Sequence, residues 1–343
     1  MSGRTAEATT ATRVAEWDFG AYPYGLEPLH LPEPDDLDGD GPDAAADAAL
    51  EHAARRLGLA TAWLSQEEIH LADRDTLDDV FWFRWITGHQ ISFLLWHLMA
   101  RVLARAPGPG QRPASDPRSA LDPRPVPDPP RAGAELLAGL VEGYNAMLLY
   151  TSSCTRDSYD RVIRPAMHRH HHGFSGSWAP DYRPVRRLFH GRVPSAADGP
   201  GSRKLEEALR VNQVVHGAVA ARLVPGSESL LQQSVGEMRL QDRAVRSVFY
   251  DHFFLTVRRT VPERQILDQL LRRLRAALID VSLNGLYPYG EQTFEGLPST
   301  YRTPFIGECE HRFPSITART AQLTCGFAGP ASAGRHTEGE DNQ

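Results

Sequence analysis

The longest amphipathic pattern in the chain runs through VFWFRWITGHQISFLLWHLM, where apolar residues recur at helical spacing between sparse polar positions. It predicts a buried helix from about Thr76 to Arg105. The helix is entered through DRDTLDD, whose aspartates suit free N–H groups and the positive end of a helix dipole. Helical spacing resumes in AGAELLAGLVEGYNAMLLYTSSCTRDSYDRVIRPAMHRHHH, with Pro165 inside or next to a break. SRKLEEALRVNQVVHGAVAARL, SESLLQQSVGEMRLQDRAVRSVFYDHFFLTVRR and PERQILDQLLRRLRAALIDVSL predict further helices, the last with Pro262 at a permitted first-turn position. DAAADAALEHAARRLGL, from Asp43, also reads as helix. No run alternates convincingly as strand and no internal repeat is evident. The expected class is all-α, with long helices around one interior site.

The other segments set the expected boundaries. Residues 1–44 are small, acidic and Pro-rich, a composition that orders poorly. Residues 45–290 form the expected helical domain. It is interrupted at about 107–131 by PGPGQRPASDPRSALDPRPVPDPPR, too rich in proline for helix or central strand. Residues 291–343, following the turn to Gly, Pro, Tyr and Thr after Asn284, are expected to be irregular.

Charge and composition narrow the function classes. A net charge of −6 and a pI near 6.2 supply no broad basic field for nucleic acid. The start of the chain lacks the apolar run of a secretory signal. The most apolar stretch, around Val80–Leu103, is broken by Arg84, His89, Gln90 and His97, so a buried core helix is expected rather than a membrane span. Cys154, Cys309 and Cys325 form no CxxC pair, which fits a reducing cytoplasm.

Candidate chemistry lies on two of the apolar stripes. Trp85, His89, Phe93 and Trp96, at i, i+4, i+8 and i+11, share one face of the first long helix. On the later stripe Phe249, His252 and Thr256 share a face, with Asp251 beside His252. Each histidine alone is compatible with core packing. The run His168–His172 is consecutive rather than spaced for a helical metal pair, and no carboxylate or cysteine joins it, so a polar helix-end role is expected. The glycine spacing around Cys309 does not suit a thiolate heme ligand.

Between the two histidines, GFSGSWAPDYRPVRRL places Ser175–Gly176 ahead of Tyr182–Arg183. With Gly-His-Gln at 88–90 and His252 followed by Val257, Arg258 and Arg259, the ordered set resembles the heme-dependent aromatic oxygenase superfamily, whose founding members are the tryptophan 2,3-dioxygenases. The resemblance covers roughly Leu71 to Ser282 and implies a dioxygenase-like helical bundle enclosing a heme. It implies His252 as the axial iron ligand on a helix, His89 on the opposite face, and Arg183 as holder of an amino-acid carboxylate. Tyr182, Ser177 and Trp178 would line the substrate pocket, Trp85 and Phe93 would wall the heme, and Arg258, nearly two turns past His252, would meet a propionate.

Departures from the family narrow the branch. Ser177 stands where tryptophan dioxygenases carry an aromatic residue, and Thr256 where the 3-methyltyrosine peroxygenases tether heme through cysteine. Noncovalent heme b is therefore expected. The chain is most similar to the bacterial heme-dependent L-tyrosine 3-hydroxylases, which implies L-tyrosine and hydrogen peroxide as substrates, L-DOPA as product, and a homodimer or homotetramer. An oxygen-dependent dioxygenase opening an indole-like ring and a non-catalytic heme sensor remain as alternatives.

Overall fold

The computed structural model describes residues 17, 19–20, 24–34, 74–105, 129–191, 200–224, 243–288 and 303–325. Its elements are β1 (Leu29–Leu31), α1 (Arg74–Arg105), α2 (Pro129–Thr151), α3 (Arg164–His170), α4 (Tyr182–Phe189), α5 (Pro200–Leu223), α6 (Arg243–Phe253), β2 (Thr256–Arg258), α7 (Glu263–Asn284) and α8 (Pro304–Cys325). A π-helical turn, Tyr159–Ile163, leads into α3, whose first turn takes Pro165, and a 3-10 turn spans Gly176–Trp178. The expected all-α class is observed. The predicted helix from Asp43, the insertion as far as residue 128 and the predicted helical stretch at 227–242 lie outside the described residues.

α1 and α2 form the centre. α1 packs on α2, α4 and α7, and α2 also packs on α5 and α8. The apolar stripe of α1 explains its place: Phe81, Ile91, Phe93, Leu94, Leu95, Leu98 and Met99 are all buried in one cluster.

Two buried arginines tie α1 to α7. The guanidinium of Arg84 uses all five N–H donors: Nε and Nη2 reach the Asp280 carboxylate at 2.7 and 3.2 Å, Nη1 reaches Ser153 Oγ and the Leu286 carbonyl, and Nη2 reaches the Gly285 carbonyl. Tyr150 donates to the same carboxylate at 2.7 Å. Arg273 donates to Gln90 Oε1 at 2.9 Å and to the carbonyls of Glu27, Pro28 and Gln269. Burial without a directly bonded carboxylate draws its pKa down to about 9.

Three expectations change. Part of the segment expected to be flexible is built in, because Leu29–Leu31 pairs in parallel with Thr256–Arg258 and Leu29 and Leu31 are fully buried. The helix carrying His252 stops at Phe253. Leu255 adopts a left-handed φ of 53° and the chain continues as β2, so Thr256 and Arg258 are not on the helical face that the spacing suggests. Part of the C-terminal segment is helical too. α8 buries Phe305, Ile306, Cys309, Phe313 and Ile316 against the bundle, while the buried hydroxyls of Thr317 and Thr320 donate to carbonyls one turn back.

Candidate functional site

His89 sits on α1 with its ring between Trp85, at a centroid distance of 4.6 Å, and Phe254, stacked at 4.5 Å. Its Nδ1 lies 2.6 Å from the Trp85 carbonyl oxygen. A carbonyl only accepts, so Nδ1 carries the proton and Nε2 presents a lone pair. Burial lowers the pKa to about 4, opposed in part by that same bond, so the imidazole is neutral near pH 7. The residue as a whole is half-buried rather than fully enclosed. A neutral acceptor edge among aromatic rings can take a proton from a small hydroxylic molecule and return it.

The predicted face of α1 is continuous, since His89 meets Phe93 and Phe93 meets Trp96 at 5.6 Å. Phe93 also touches Tyr250 and Phe254 from the end of α6, at 5.6 and 5.3 Å. Tyr250 stacks on Phe174 at 5.4 Å, Phe174 packs on Trp178, and Trp96 contacts Tyr182 at 5.1 Å. The three blocks picked out in sequence therefore converge on one aromatic cluster. Phe174, Tyr250 and Phe254 were not singled out in sequence. The i, i+4 pair Tyr250 and Phe254, flanking His252, was the available signal.

His252 lies on another side of that cluster. Its ring is exposed and stacks on His170 at 5.0 Å, with Nδ1 3.5 Å from His170 Nε2, which in turn donates to the Phe249 carbonyl at 2.9 Å. His170 also packs on Phe253, which meets Phe254, the ring stacked on His89. The two histidines are joined through this chain of rings rather than by direct contact. His171 is buried and its Nδ1 accepts the Gly173 N–H, whereas His168 and His172 are exposed.

His252 lies in the stretch of chain that carries the exposed apolar side chains. Among the described residues the exposed large hydrophobics are Val245, Val248, Leu255 and Val257, all close to His252 in the chain, and Val248 is 67 % exposed. An exposed imidazole on a stretch of chain with exposed apolar side chains is a combination that a flat apolar macrocycle with four nitrogen ligands of its own could use. A bare ion has no such support, because no group of three or more His, Cys, Asp or Glu suited to holding one occurs among the described residues.

Arg258 has other work than the expected propionate contact. Nε and Nη2 donate to Asp251 at 2.9 and 2.7 Å, Nη1 and Nη2 to Asp181 at 2.9 and 2.7 Å, and Nη1 to the Pro32 carbonyl at 3.1 Å. All five donors are committed. Although burial opposes its charge, the two carboxylates outweigh it and raise the arginine pKa. Burial raises the pKa of Asp251 in spite of Arg258. Arg183, on α4, donates to Ser247 on α6, and Ser177 is exposed with its N–H and hydroxyl turned to Ser175.

No helix among the described residues is long and apolar enough to cross a membrane. A comparison with curated proteins found no match. Residues 72–210 match the family model described as SfmD 3-methyl-L-tyrosine peroxygenase, a segment that contains Gly88–Gln90 and Ser175–Arg183 and ends before His252. Over that segment the chain is similar to this peroxygenase family.

Proposed function

We propose that this chain is a heme-dependent peroxygenase that hydroxylates the ring of L-tyrosine to L-DOPA, with His252 as the axial ligand of a noncovalent heme b. The observation that carries the reading is the convergence of α1, the 174–182 segment and the end of α6 on one aromatic cluster that holds a neutral, acceptor-edged His89. The overall reaction converts an aryl C–H and hydrogen peroxide into an aryl C–OH and water.

Heme, when bound, supplies the oxidising chemistry that splits peroxide. The residues of the chain supply placement and proton traffic. His89 Nε2 takes a proton from hydrogen peroxide and delivers it to the oxygen that leaves as water. Arg183 holds the amino-acid carboxylate by charge-assisted bonds, exchanging its contact with Ser247 for them. Tyr182 and Trp178 wall the substrate, with Ser177 at its rim, and Trp85 and Phe93 line the oxidant side. Fixed orientation of the phenol then selects the position next to the hydroxyl.

Hemin titration followed by tyrosine and peroxide tests this reading. A Soret band, a further spectral change on adding L-tyrosine, and peroxide-dependent formation of L-DOPA are expected. Protein that takes up no hemin, or that consumes tyrosine only with molecular oxygen and reductant, would overturn it.

A further inference from the structure

We infer that Arg258 is a positioning residue that couples occupancy of the substrate segment to the axial bond of His252. This inference rests on the reading of His252 as heme ligand and Arg183 as carboxylate holder.

Arg258 joins the start of α4 to the end of α6. Asp181 stands at the N-terminal end of α4, two residues before Arg183, and Asp251 precedes His252 on α6. The side chains of Asp181, Asp251 and Arg258 are only 2, 12 and 12 % exposed, so their bonds are little screened by water. Each carboxylate is held by two N–H···O bonds, and the guanidinium plane fixes the angle between them. A second link runs in parallel, because Arg183 itself donates to Ser247 on α6.

The two links give a mechanical consequence. A carboxylate that draws Arg183 away from Ser247 loosens one of the ties between α4 and α6 while the Arg258 bridge stays in place. The end of α4 and the turn carrying His252 then shift as a unit through Arg258. A rigid bidentate bridge transmits such a displacement, whereas a lysine at this position pairs with the carboxylates only as a point charge and fixes no plane between them. Substrate binding and axial-bond strength thereby share a coupling free energy, which is reciprocal.

The test is resonance Raman spectroscopy of the ferrous, hemin-loaded protein, following the iron–histidine stretching band with and without L-tyrosine. Equilibrium dialysis confirms that tyrosine is bound. In the unmodified protein the band moves on tyrosine binding; in Arg258→Lys it stays still while tyrosine remains bound. Asp251→Asn, which keeps shape but removes one charge, reduces the movement and serves if the lysine variant does not fold. Equal displacement in the unmodified protein and the folded variants, or no displacement in the unmodified protein with tyrosine bound, would overturn the coupling. Failure to load hemin at all would instead strike the functional reading beneath it.

Discussion

A Cβ atom placed on Gly88 would lie 2.2 Å from Thr151 Cγ2, a distance at which one of the two helices or the threonine must shift. Its hydroxyl donates to the Met147 carbonyl at 2.8 Å, which fixes the rotamer that aims the methyl group at α1. The glycine beside the proposed catalytic histidine thus sets how closely α1 and α2 approach.

Gly88→Ala is expected to destabilise the protein by about 1–3 kcal/mol through overpacking, despite the gain in helix propensity. Thr151→Ser removes the opposing methyl group, and the double variant should recover most of the loss. Urea unfolding of the three variants measures this. A destabilised double variant would place the constraint elsewhere.

His89→Ala should still take up hemin, with turnover lower by about 10²–10⁴-fold, the usual range for losing a positioned acid–base group. His89→Gln retains hydrogen bonding without the basic nitrogen and should fare little better. Turnover close to that of the unmodified protein in both variants would remove His89 from the proton path.

His252→Ala should lose hemin affinity by at least about 100-fold, more than the loss typical of residues that only support a metal ligand. Optical titration reads this directly. External imidazole should restore part of the spectrum.

Asp280→Ala leaves the Arg84 guanidinium buried without its carboxylate, since both side chains are 0 % exposed in their ion pair. The expected cost is about 3–5 kcal/mol. Replacing both partners by apolar residues should cost less than the single change, a comparison that denaturant unfolding can make.

Stability should fall on acidification. Burial holds His97, like His89, at a pKa of about 4, below the ordinary 6.5, with Asp181 partly opposing the shift in His97. The unfolded chain therefore binds more protons between these values. The stabilising contribution of each neutral ring is full above about pH 7 and shrinks as pH drops through 6.5 towards 4. For His97, 4 % exposed, the loss at pH 5 is about 2 kcal/mol. His97→Phe should flatten the decline between pH 7 and pH 5; an equally steep decline would show that His97 does not contribute.

The periodicity of the long apolar stripes made α1, α2, α5 and α7 legible, and the shared face of Trp85, His89, Phe93 and Trp96 followed from spacing alone. The end of α6 did not, because a single left-handed residue, Leu255, diverts the chain and no local pattern around HFFLTVRR announces it. α8 was hidden by its threonines and by Pro314: the Thr317 and Thr320 hydroxyls bond within the helix, which also accommodates the proline. The commitment of Arg258 to two carboxylates was beyond the sequence for a different reason. Asp181 is 77 residues away from it along the chain, and only the fold brings them together.

The pairing of β1 also bears on how the chain is made. The N–H of His30 donates to Gln269 Oε1, and the Gln269 amide donates back to the His30 carbonyl, across 239 residues of sequence. At roughly 5–20 residues per second, a ribosome needs about 10–50 s to deliver that partner. Through that interval Leu29 and Leu31 have no strand to join, so the closing of this bundle is a late event in synthesis, and the nascent chain has to keep an early apolar segment from pairing with anything else.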